Sequence, residues 1–247
     1  MAAGDHVPAR LRVLSANLWN GRAHPDGFAA LVERMRADVV AVQEIGPAQA
    51  AALRRALPHG VLDPAEDFTG MGIASRAPLP VRRLTLPRRD ARVAEITLRS
   101  PDGGGVTIEV VNIHVEAPHN TPTWTTVARR RGQWRGLERH INANPHRPRL
   151  IVGDFNSTPL WPFYRRVAGH LQDAAVIHAR RRGARAVRTW GPWHGSPRLL
   201  RIDHAFVQHL EIFDFEVVEV PDGDHSAVVV EIGIKEGMKD KGTTDEG

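Results

Sequence analysis

An apolar run over residues 150–152 breaks off at Gly153-Asp154-Phe155-Asn156, and Pro159 follows. The pattern predicts a buried strand stopping at a sheet edge, with a helix starting at Pro159 or Leu160. Asp154 and Asn156 lie two positions apart, so an extended backbone sends both side chains off one face. Burying two such groups unpaired costs roughly 1–3 kcal/mol each. A hard cation or a phosphate group satisfies both. Asn17, Glu44, His114, Asp203 and the pair Asp224-His225 also fall at or near the ends of predicted strands. Singly, each has an ordinary explanation: an Asp after a strand is most often a turn former or helix cap. As a set they are expected to converge on one edge of a two-sheet sandwich, bringing carboxylates, amides and imidazoles together.

The elements that must position these groups follow from hydrophobic period. Strands are expected over 11–17, 38–44, 70–76, 81–86, 92–98, 106–115, 149–153, 200–207 (interrupted by Asp203-His204), 211–220 and 226–234. Helices are expected over 25–36, 49–57, 122–142 and 160–168. The longest helix has an apolar stripe of Trp124, Val127, Trp134, Leu137 and Ile141, with Arg129, Arg130, Arg131, Arg135 and Arg139 on its other faces. Asp102 to Gly105 reads as a hairpin turn, and Arg180-Arg181-Arg182-Gly183 with Arg185 as a basic loop. Each half begins with strands and helices and continues in meandering strands, an order that suggests two packed sheets with helices outside. No composition break divides 11–234. One domain is therefore expected there, between a flexible N-terminus at 1–10 and a disordered polar tail at 235–247.

Composition narrows the function. The 247 residues are 42% hydrophobic and 25% charged, with a formal charge of +5 and no cysteine. Disulfides and thiolate metal sites are excluded, leaving Asp, Glu, Asn and His as ligands. No apolar run reaches the ~20 residues of a membrane span, and residues 1–10 carry no hydrophobic run of a secretory signal. A cytoplasmic monomer is the expectation. The excess of Arg mildly favours a polyanionic partner, nucleic acid included.

Seven stretches in order, Asn17, Gln43-Glu44, Ser75-Arg76, Asn112-Ile113-His114, Gly153-Asp154-Phe155-Asn156, Ile202-Asp203-His204 and Asp224-His225, resemble the endonuclease/exonuclease/phosphatase superfamily, the deoxyribonuclease-I-like fold. The resemblance covers about residues 11–234 and implies an α+β, four-layer α/β/β/α sandwich, with two mixed β-sheets face to face and helices outside. It implies Mg²⁺ or Mn²⁺ as cofactor, held mainly by Glu44 with help from Asn17 and Asp224. Asp154 would orient or deprotonate the attacking water, and Asn156 would contact phosphate or metal. His225 would act as base or charge stabiliser, with its ring held by Asp203, and His114 would donate to a non-bridging oxygen. Arg76 and Trp19 would touch substrate, although a surface arginine and a packing tryptophan explain them equally. Trp161, Trp190 and Trp193 share that ambiguity. The Ser157-Thr158-Pro159 continuation departs from the apurinic-site endonucleases, and the absence of cysteine from the secreted deoxyribonucleases. The implied activity is a divalent-metal phosphoester hydrolase of phosphodiesterase or nuclease type. A phosphomonoesterase, a lipid or inositol phosphoesterase, and a catalytically silent phosphate- or nucleic-acid-binding module are the alternatives.

Overall fold

The computed structural model describes residues 9–100, 103–119 and 122–235. The expected flexible N-terminus and polar tail fall almost wholly outside these residues, as does Asp102 of the expected turn. In chain order the elements are β1 Arg10–Asn17, α1 Pro25–Arg34, β2 Val39–Gln43, α2 Pro47–Ala56, β3 His59–Asp63, β4 Met71–Ser75, β5 Val81–Leu84, β6 Ala91–Arg99, β7 Gly105–His114, α3 Thr123–Ala143, β8 Arg149–Asp154, α4 Pro162–His170, β9 Gln172–Asp173, α5 Ala174–Arg181, β10 Asp203–Gln208, β11 Leu210–Glu219 and β12 Ser226–Ile234.

These strands form two mixed six-stranded sheets, ordered β11-β12-β1-β2-β4-β3 and β5-β6-β7-β8-β10-β9. Each has one central parallel pair, β1 with β2 and β7 with β8, joined through a crossover helix, and antiparallel neighbours on both sides. Both strands of a parallel pair end at the same edge, where polar groups collect in open α/β sheets. Asn17 and Gln43 end one pair in register, and His114 and Asp154 end the other.

Alternation makes the layers. In β2, Val39 and Ala41 face the other sheet, while Val40 and Val42 face α1 and α2. In β8, Leu150 and Val152 face inward, and Ile151 meets Trp134, Leu137 and Phe163 of the outer helices. Apolar side chains on both faces explain why the central strands read as continuous hydrophobic runs. A buried polar bolt crosses the gap: Gln43 Nε2 donates to Asn112 Oδ1 at 2.6 Å, and Asn112 Nδ2 donates to the carbonyls of Val42 (2.9 Å) and Gly72 (2.8 Å).

Several expectations are corrected. Residues 59–63 pair at a sheet edge, flanked by Pro58 and Pro64, with too few buried positions to show a period. Residues 174–181 form α5, so Arg180 and Arg181 of the expected basic loop lie on a helix. Its last turn carries Arg180 and Arg181, where cations complement the helix dipole, and Gly183 follows at φ 63°. The stripe of α3 is buried only from Trp134 onward, since Trp124 is 72% exposed. α4 begins at Pro162, and β10 begins at Asp203, so Asp203 and His204 belong to the strand instead of interrupting it.

Gly153 makes the close approach of β7 and β8 possible. Its φ is 142°, and a Cβ there would lie 1.9 Å from the carbonyl oxygen of Ile113. Gly153→Ala is expected to cost on the order of 3 kcal/mol or more in chemical denaturation.

Candidate active site

The ends of β1, β2, β7, β8 and β10 and the turn before β12 open onto one cavity of about 460 Å³. Its lining includes Trp19, Glu44, His114, Asp154, Asn156, Asp224 and His225. One sheet supplies Asn17, Glu44 and Asp224-His225, and the other His114, Asp154 and Asp203.

Turns leaving the strand ends aim these groups. Glu44 follows β2 at φ 55°, a left-handed conformation, and Asn20 N donates to its Oε2 at 2.8 Å. Asn156 also sits left-handed, at φ 45°. It meets Asp154 through a tight turn, not through the extended backbone expected from spacing. Its backbone N donates to Asp154 Oδ1 (2.7 Å), and its Nδ2 to Asp154 Oδ2 (3.1 Å) and the Val115 carbonyl (3.0 Å). Asn17 was expected to lend its oxygen to a metal. Here that oxygen accepts from Trp19 N, and Nδ2 donates to both Glu44 Oε1 (3.1 Å) and Asp154 Oδ2 (3.0 Å). Between two carboxylates, an amide NH₂ satisfies both.

Along the second sheet His114, Asp154 and Asp203 stand side by side in register. His114 Nε2 lies 3.5 Å from Glu44 Oε1 and 3.6 Å from Asp154 Oδ2. His225 Nδ1 is bound by both Asp203 oxygens, at 2.9 and 3.0 Å, and its Nε2 lies 4.0 Å from Asp154 Oδ2. The segment 189–200 frames this turn. Trp190 pairs with His225, and Arg198 donates to the carbonyls of Gly223, Asp224 and His225. Trp190 Nε1 donates to Asp224 Oδ2 at 3.3 Å.

Burial sets the protonation states. Desolvation, reinforced by Asp203 and Glu44 and opposed by His225, pushes Asp154 up to about 7. Desolvation likewise raises Glu44 and Asp224. Burial acts to lower His225, but the charge and hydrogen bond of Asp203, with Asp154 and Asp224 behind it, overcome this and lift it to about 10. Burial, then the charges of Arg89 and His225, holds His114 well below the usual histidine range. At neutral pH the site therefore pairs a cationic His225 with a neutral His114.

Glu44, Asp154 and Asp224 line one cavity as desolvated carboxylates, the donor chemistry a divalent hard cation takes. Asp224 Oδ1 strengthens the fit, because it is buried without a hydrogen-bond partner among the described residues. Ligand atoms of Asp154, Asp203 and His225 also lie within 4.8 Å of one another. Asp203 already binds the His225 cation as an ion pair.

Of the sequence-predicted site residues, Asn17 and Asp203 stand behind the lining and hold Asp154 and His225, whereas Arg76 lies away from the cavity. Its guanidinium bonds the Ala37 carbonyl (3.0 Å) and Glu33 (3.2 Å), and the preceding Ser75 pairs with Val39, the first residue of β2. Trp19, Trp161 and Trp190 line the cavity, whereas Trp193 is 61% exposed. Phe68 and Arg89 line it as well and were not foreseen. Arg89 follows another arginine in an Arg-rich chain, so no pattern marked it out.

Behind Asp203, His204 is fully buried. Arg201 donates to its Nδ1 (3.1 Å), which leaves Nε2 to donate to the Ser157 carbonyl (2.7 Å). Burial first, and the Arg201 charge second, push it down to about 4. A folded value below the unfolded ~6.5 gives stability that is present above pH ~6.5 and lost as pH falls towards 4, on the order of 3 kcal/mol. Replacing His204 by Gln is expected to flatten the metal-free melting temperature over that window.

Residues 14–225 match the sequence profile of the Endonuclease/Exonuclease/phosphatase family, and the chain belongs to that family, whose members hydrolyse phosphoesters. Among solved structures it is similar to an endonuclease/exonuclease/phosphatase from Beutenbergia cavernae, at 19% identity and TM-score 0.66, covering 92% of this chain and 72% of that one. A Bacteroides vulgatus member gives 18% and 0.67, covering 92% and 99%. The catalytic domain of human nocturnin gives 17% and 0.65, covering 93% and 96%. At these identities the likeness is one of fold. No curated protein matches the chain. No helix among the described residues is long and apolar enough to cross a membrane.

Proposed function

We propose that this chain is a divalent-metal-dependent phosphoester hydrolase of phosphodiesterase or nuclease type. The observation that carries the reading is the convergence of Glu44, His114, Asp154, Asn156, Asp224 and His225 on one cavity from two sheets. Glu44 and Asp224 would hold Mg²⁺ or Mn²⁺, and the bound ion supplies Lewis-acid polarisation of a phosphoryl oxygen. Asp154, raised to about 7, is matched to accept a water proton near neutral pH. Asn17 and Asn156 fix its oxygens. The His225 cation, held by Asp203, donates from Nε2 towards the charge that builds on phosphoryl oxygen. Trp19, Trp161 and Trp190 in the wall offer flat faces to a base or ring on the substrate.

The test is turnover of bis-p-nitrophenyl phosphate and p-nitrophenyl phosphate with Mg²⁺ or Mn²⁺, with and without chelator. A panel of plasmid DNA, RNA, inositol phosphates and phospholipids then separates substrate classes. Faster cleavage of the diester supports the reading, and faster cleavage of the monoester favours a phosphomonoesterase. Binding without turnover on any phosphoester leaves the silent module.

A further inference from the structure

Arg89 stands in the β5–β6 turn and is 7% exposed. Its Nε and Nη1 are buried with no hydrogen-bond partner, and it makes no ion pair among the described residues. The other buried arginines each have a carboxylate neighbour: Arg92 meets Asp63 at 2.7 Å and Arg201 meets Asp173 at 2.7 Å, while Arg149, whose Nε and Nη1 also lack hydrogen bonds, lies 3.5 Å from Glu109 and donates to the Asn144 carbonyl at 2.7 Å. The neighbouring Arg88 is tied to Glu116, at 3.0 Å. What fixes Arg89 is a ring: its guanidinium lies 4.7 Å from the centroid of Phe68, which also lines the catalytic cavity. An unpaired guanidinium out of water is expensive, and its planar fork matches an oxyanion with two oxygens in reach. Glu116 first, then Glu44 and Asp154, act on it through space without an ion pair.

We propose that Arg89 is the receptor for non-bridging oxygens of the substrate phosphate, with Phe68 as its positioning residue. The proposal rests on the hydrolase reading for the identity of the anion. It differs in its prediction from a mere charge balance for the carboxylates, because a receptor must bind the anion directly.

The test is calorimetric titration of the Mg²⁺-loaded protein with inorganic phosphate, which needs no turnover. Arg89→Met is expected to raise the phosphate Kd at least tenfold and Arg89→Lys only a few fold, since a point charge replaces the fork. Mg²⁺ affinity, titrated without phosphate, is expected to stay equal or tighten once a nearby cation is gone. Arg131→Met, a cation lost from the outer face of α3, serves as the charge-matched control and should leave both constants within twofold. A phosphate Kd within twofold of the parent in Arg89→Met overturns the proposal. So does a loss of Mg²⁺ affinity as large as the loss of phosphate affinity, which marks a structural role. If no phosphoester is turned over yet phosphate binding still depends on Arg89, the hydrolase reading fails and the receptor stands.

Discussion

His225→Gln is expected to lower kcat by about 10³–10⁴-fold, with a much smaller change in KM. Among the described residues the imidazole is the only cation in contact with Asp203, and its Nε2 lies 4.0 Å from Asp154 Oδ2. Its loss removes the donor aimed at the phosphoryl oxygen and leaves two buried carboxylates facing each other. Asp203→Asn should cost less, about 10²–10³-fold, and should announce itself in the pH profile. The direction follows from the balance of influences on His225. Burial pulls it down, and Asp203 is the largest influence holding it near 10. Without Asp203 the imidazolium deprotonates at lower pH, so the alkaline limb of the kcat profile should move towards neutrality. A profile unmoved in Asp203→Asn would mean that this carboxylate only fills space.

The second large effect belongs to Glu44. Glu44→Ala is expected to abolish metal-dependent turnover, by about 10³-fold or more, and to remove the rise in melting temperature that Mg²⁺ gives. For a ligand at about 100 times its Kd, that rise corresponds to ~2.7 kcal/mol. The effect has a pH signature. Asp154, Glu44 and Asp224 all have folded values above their ordinary ones. Their contribution to the metal-free fold is complete below the unfolded carboxylate range, ~4, and is lost as pH rises through about 7 for Asp154. Above about pH 6.5, where the His204 contribution is already complete, the metal-free melting temperature should therefore fall up to about pH 8, and Mg²⁺ should restore more of it at pH 8 than at pH 6. Thermal melts with and without chelator at the two pH values, in the parent and in Glu44→Ala, check this.

The central strands were legible because they are apolar on both faces, and a polar group ending such a run stands out. That logic found Asn17, Glu44, His114 and Asp154. Strand direction was not legible. β4 runs antiparallel to β2, so its last residue, Ser75, lies at the far edge and Met71 at the site edge. Arg76 inherits that wrong end. The meeting of Asp154 with Asn156 was foreseen for the wrong reason, since a left-handed Asn does what an extended strand was asked to do. β3 and α5 escaped because short, half-exposed segments carry too few apolar positions for a period. The frame around Asp224-His225 escaped because Arg198 reaches main-chain carbonyls 25 or more positions away and Thr189 and Gly191 pair with that turn through the main chain, contacts that leave no local signature.

The Gln43–Asn112 bolt gives the molecule an all-or-none character. Neither sheet owns a complete set of reacting groups, and the bolt fixes how one slides over the other. Any species in which the halves have collapsed but not yet locked, during refolding or after a nick near residue 119, should be compact and inert. Recovery of enzymatic rate is thus a clock for the last docking event, later than any spectroscopic sign of strand formation.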